Sequence, residues 1–175
     1  MLTDLTRDAL FTTAWFGLMA VVWFGWAQED PPASWRARLG AGSVLGLLLA
    51  AGFTVLVVRA WDQPSALEGR YPWFGALVAA ELVLAGLGCW LLARRGAGRW
   101  MAWWVALVVA LHFIPLAFLL VDPTLAVAGG ALAVVLVALV PRLRQRSGPT
   151  SSTVGATMGS TLLGFAAASA LVVLL

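Results

Sequence analysis

Two side chains able to exchange protons stand inside consecutive apolar stretches of this chain. Glu81 lies in Ala79-Ala80-Glu81-Leu82-Val83-Leu84, and His112 lies in Leu111-His112-Phe113-Ile114. Between the two stretches runs a charged hairpin, Arg94-Arg95-Gly96-Ala97-Gly98-Arg99. Glu81 precedes Arg94 by thirteen residues, and His112 follows Arg99 by thirteen. In antiparallel helices rising ~1.5 Å per residue, both side chains fall about 20 Å from the same membrane face. An ionised group at such depth costs at least ~2.5–3.5 kcal/mol, so its presence calls for a function. A carboxyl and an imidazole at equal depth can share one proton and titrate as a pair. Such a pair serves proton-coupled movement or acid–base chemistry. The competing reading is a hydrogen bond that clamps two helices together.

The surroundings of His112 add a second element of chemistry. Pro115 follows three residues later and has no N–H to give the carbonyl of Leu111. That carbonyl is then free for an ion, a water or a ligand, although proline kinks also occur in ordinary membrane helices. The run Leu111-His112-Phe113-Ile114-Pro115-Leu116-Ala117 resembles a His-Phe-x-Pro-Leu-Ala motif. The motif belongs to a family of small, uncharacterised bacterial multi-span membrane proteins. The resemblance covers about these seven residues together with the size and span pattern. It implies that His112 and Pro115 form one unit, and it carries no activity.

Other polar or aromatic groups within the apolar stretches have milder claims. Trp103 and Trp104 could line a ligand cavity, or simply pack. Thr153, Thr157 and Thr161 recur every four residues and make one polar stripe, read as a hydrated path or a packing face. Gly155 and Gly159 permit close backbone approach, as a homodimer seam or as intramolecular packing. Gly42 and Gly46, and likewise Gly129-Gly130, are read as tight helix contacts. Trp26, Trp35, Trp90 and Trp100 fall near one membrane face, and Trp61 and Trp73 near the other, as an interfacial belt.

Composition excludes many alternatives. The chain has 175 residues, 62% hydrophobic and 11% charged, against about 25% charged in soluble domains. It therefore reads as an integral membrane protein with little chain left for a soluble domain. All eleven basic residues are arginine and sit mostly in short loops, which marks topology control rather than nucleic-acid binding. Cys89 is the single cysteine, so an internal dithiol mechanism is excluded. One histidine cannot supply both axial ligands of a bis-histidine haem. No metal-binding cluster, phosphate loop or nucleophile motif is present, and no cofactor is expected. The arginine-only basic set, with abundant Ala, Gly, Leu and Val, points to a GC-rich bacterium.

Six stretches are long enough to cross ~30 Å of hydrocarbon as helices. They run Ala9–Gln28, Leu39–Trp61, Tyr71–Leu92, Trp100–Val121, Thr124–Val140 and Thr153–Leu175. The first is read as a retained span, because Asp4 and Asp8 oppose Arg7 and no cleavage site follows. Pro31-Pro32 and Pro123 mark turns, and Pro141 is expected to close the fifth span. The expected fold is all-α, a single domain over 1–175 with six transmembrane helices. Short matches, Ala14-Trp15-Phe16 with Ala102-Trp103-Trp104 and Phe74-Gly75-Ala76 with Val154-Gly155-Ala156, raise a three-plus-three inverted repeat. Loops one, three and five carry eight arginines, against three at positions 7, 59 and 70. That asymmetry puts the odd loops in the cytoplasm and both termini outside the inner membrane.

Three function classes follow. The first is a small transporter or channel, proton-coupled through Glu81 and His112. The second is an accessory or ligand-sensing subunit with a partner membrane protein or a second copy. The third is an intramembrane enzyme acting on a lipid or isoprenoid, with Trp103 and Trp104 shaping its pocket. The surrounding bilayer is the expected partner, with a lipid or small molecule as the expected ligand and no nucleic acid.

Overall fold

The structure, a computed structural model, describes residues 5–174. Asp4 and Leu175 lie outside the described residues. Six helices follow one another: α1 (Thr6–Ala27), α2 (Arg36–Arg59), α3 (Tyr71–Arg94), α4 (Met101–Leu119), α5 (Pro123–Arg144) and α6 (Ser151–Leu174). Each is long and apolar enough to cross a membrane. The chain is a multi-pass membrane protein with an all-helical fold.

Several helices run past the apolar stretches. α2 begins at Arg36, and α5 continues through Pro141 to Arg144. The expectation that Pro141 closes the fifth span is therefore corrected. A proline so near a helix end forfeits a single backbone bond, and the last turn is completed around it. The start of α5 follows the expected turn chemistry. Asp122 caps it by accepting from the Thr124 backbone N–H at 3.1 Å, with Pro123 in the first turn. Proline is tolerated there because its missing N–H would have no helical partner.

The helices pack around two centres. α1 lies between α2 and α6, and α4 lies between α5 and α3. α6 also touches α4 and α2, and thereby joins the two groups. Exchanging α1, α2 and α3 for α4, α5 and α6 carries α1–α2 onto α4–α5 and α1–α6 onto α4–α3. α6 thus has neighbours beyond its centre, whereas α3 packs chiefly on α4, with its first residue, Tyr71, accepting from Arg7 of α1 at 3.4 Å.

Small residues bring the backbones together, since association in lipid relies on close packing rather than on expulsion of water. A Cβ at Gly17 would lie 2.8 Å from the Gly46 carbonyl, and one at Gly46 would lie 2.7 Å from that of Gly17. The α1–α6 contact passes Gly155 against the Trp23 carbonyl and Gly159 against the Phe24 ring. Gly42 faces the other side of that ring. Gly155 and Gly159 thus serve contacts within one chain. The middle of the bundle is filled by Phe16, Trp23, Phe24, Phe113, Leu136, Met158 and Leu162.

Polar groups tie the loops together at both ends. At one end Arg7 donates to the Trp61 carbonyl at 2.6 Å, and Asp8 accepts from the Ala66 backbone at 2.7 Å. At the other end, the arginine-rich face, Arg99 donates to the Leu143 carbonyl at 2.6 Å and to that of Arg146. Thr150 returns two bonds to the Arg99 carbonyl.

Candidate functional site

The site is the seam between α3 and α4. Gly96, at φ +66°, turns the hairpin that joins them. Residues at three- and four-residue intervals on α3 meet α4: Leu77, Glu81, Leu84 and Gly88. Near the arginine-rich face the two helices are pressed together. The Trp104 indole covers Gly88, where no Cβ would fit. Its Nε1–H donates to the Leu84 carbonyl at 3.0 Å. Any residue larger than glycine at position 88 would displace the Trp104 indole or push the helices apart there.

Two turns along α4, His112 Nδ1 stands 3.1 Å from Glu81 Oε2. The side chains are 9% and 22% exposed, so the pair sits at the rim of the bundle rather than at its centre. Glu81 is flanked by Leu82 and Leu84, whose exposed side chains face the lipid. The approach is close, yet Nδ1 lacks a well-aligned hydrogen bond. A small rotation of either side chain would complete or break it. The pair is thus placed for proton exchange and is reachable from the side.

Beyond the pair the seam opens into a groove of about 580 Å³, lined by Arg70, Trp73, Ala76, Leu77, Pro115 and Phe118 among others. Pro115 therefore belongs to the groove wall one turn past His112. α4 continues through Pro115 to Leu119. The Leu111 side chain is exposed at the bundle surface.

The other expected residues lie elsewhere. Trp103 donates its Nε1–H to the Leu136 carbonyl of α5 at 2.9 Å. Trp103 and Trp104 each tie α4 to a neighbouring helix, and neither lines the two described grooves. Thr157 donates back to the Thr153 carbonyl, a bond internal to α6. Thr161 lines a separate apolar groove between α5 and α6, with Val127 and Phe165. The threonine stripe does not meet the Glu81–His112 pair. Among the described residues, no three His, Cys, Asp or Glu side chains gather as metal ligands.

Sequence reasoning passed over two features. Thr13 and Ser169 form a buried 2.6 Å hydrogen bond between α1 and α6. Nothing in their spacing signals it, since it spans most of the chain. The groove residues Arg70, Trp73 and Leu77 were equally silent, although Arg70 lies eleven residues before Glu81.

Comparison with protein-family models, with curated proteins and with solved structures gave no match for this chain.

Proposed function

We propose that this chain is a small bacterial membrane transporter that moves protons, with or without a coupled solute, through Glu81 and His112. The observation that carries the reading is the 3.1 Å approach of a carboxylate oxygen and a ring nitrogen at matched depth. The cost of burying such groups in lipid argues against an idle role. A proton held by Glu81 has only one short step to His112 Nδ1. The seam is closed by Trp104 on the arginine-rich side and open along the groove on the other. One-sided access of this kind is half of an alternating cycle. α3 is the element suited to complete it, because it packs chiefly on a single helix, α4. On this reading the arginine-rich face is cytoplasmic and the groove opens outward in the inner membrane. The His-Phe-x-Pro-Leu-Ala resemblance fits the same picture, with Pro115 and His112 serving one site.

The test is flux. The purified protein in proteoliposomes should dissipate an imposed pH gradient, and Glu81→Gln should return the rate to that of protein-free vesicles. Equal rates for the parent and Glu81→Gln would reject the reading.

One observation favours a second reading, an accessory or ligand-sensing subunit. The bundle interior is filled, and both described grooves lie on its perimeter. A bundle with grooves on its perimeter can respond to lipid or to a partner helix without moving a solute. In that case flux is absent, and a membrane partner co-purifies.

A further inference from the structure

The two grooves on the perimeter differ in one respect. The groove between α5 and α6 is apolar, and no cationic side chain lines it. The groove between α3 and α4 has Arg70 at its mouth. Arg70 precedes the first turn of α3, level with Trp61, Tyr71 and Trp73, aromatic side chains of the kind that mark the headgroup region. Its guanidinium is exposed and reaches one backbone carbonyl, that of Leu119, at 3.5 Å. No carboxylate of the described residues pairs with it. The nearby Glu68 is taken by Arg7 at 3.7 Å and by the Ser65 backbone at 3.0 Å. An arginine held at headgroup level with open donors is suited to a phosphodiester, which it can grip with two parallel hydrogen bonds.

Below Arg70 the groove is apolar and runs inward. Ala76 and Pro115 are small or compact and leave the space, while Trp73 and Phe118 form the walls. The 580 Å³ cavity lies within the ~300–1,000 Å³ range of small-ligand sites. From Arg70 to Glu81 the rise is about 16 Å, roughly half the ~30 Å hydrocarbon thickness. The groove's α3 wall runs from Arg70 to Leu77, about 10 Å, and ends one helical turn short of the pair. We propose that it holds an anionic phospholipid, with the phosphodiester on Arg70 and one acyl chain along Trp73, Leu77 and Pro115. A free anion would leave the apolar wall unused, and a zwitterionic lipid would bring a cation beside Arg70. The lipid lies along the groove between α3 and α4, one turn from Glu81 and His112, and leaves the pair itself uncovered. This inference stands on the groove and its charge, not on proton movement.

Native mass spectrometry in a non-ionic detergent tests it. The probe is an equimolar mixture of phosphatidylglycerol and phosphatidylcholine with identical chains. The parent should retain phosphatidylglycerol roughly tenfold over phosphatidylcholine, the difference expected of one arginine–phosphate contact. Arg70→Gln should abolish the preference, whereas Arg59→Gln, at the same face on α2, should preserve it. Ala76→Trp, which fills the groove, should remove both adducts. Glu81→Gln should leave the adduct intact, so a failure of proton flux and a failure of lipid binding are read separately. Equal retention of the two lipids would overturn the proposal. So would an equal loss of preference in Arg59→Gln, or displacement of the lipid by inorganic phosphate alone.

Discussion

Glu81 and His112 set a carboxylate oxygen and a ring nitrogen side by side at the rim of the bundle. Equal spacing from the arginine hairpin puts them at one depth, and the structure brings them to 3.1 Å. Depth was legible because helical rise is constant. Lateral position was not, because helix rotation depends on what each helix packs against. The same limit explains Trp103 and Trp104. Adjacent residues on a helix point about 100° apart, so one staples α5 and the other staples α3. A lipid-facing tryptophan and a stapling tryptophan look alike in sequence, since the acceptors are backbone carbonyls. The Trp104 bond holds α3 to α4, its chief helix neighbour. Trp104→Phe keeps most of the packing and removes the donor, and should lower stability to chemical unfolding in detergent by about 1 kcal/mol. No change in the unfolding midpoint would mean that the indole donor contributes nothing to holding α3.

The six elements themselves were readable from runs of apolar residues, because a span in lipid must satisfy its own backbone. Their ends were less so. Arginines at the ends of α2, α3 and α5 extend the helices beyond the hydrocarbon. They do so at little cost, because their long side chains reach water. Which helices pair was not readable, because Gly155-x-x-x-Gly159 serves a second copy or a neighbouring helix equally well. In the structure it receives α1, and the three glycines of α6 have unequal surroundings. A Cβ at Gly155 would press on the Trp23 carbonyl at 2.6 Å, one at Gly159 would press on the Phe24 ring at 2.7 Å, and one at Gly164 would meet nothing within 4 Å. Backbone cannot yield, a ring can rotate, and open lipid offers no resistance. The expected order of destabilisation is Gly155→Ala above Gly159→Ala above Gly164→Ala. The first should cost about 1–3 kcal/mol, read as thermal stability in detergent. A reversed order would contradict the α1–α6 packing.

At the scale of the whole molecule, two three-helix groups share a pattern of neighbours, with α3 the loosest member. The exchange of α1 and α4 is a likeness of helix neighbours, and the inverted repeat itself stays an expectation from the short internal matches. The proposed orientation rests on arginine asymmetry, and cysteine labelling tests it. In a Cys89→Ser background, Gln63→Cys should react with a membrane-impermeant maleimide in intact cells. Gln145→Cys should react only after permeabilisation, and the opposite pattern would invert the topology. The central claim is that Glu81 and His112 act as one protonatable unit. Its most direct test is a double-mutant cycle on proton flux in proteoliposomes, with Glu81→Gln, His112→Ala and the double variant compared with the parent. Each single change should stop gradient-driven flux as completely as both together, because either one breaks the unit. Additive partial losses, or full flux in either single variant, would contradict it.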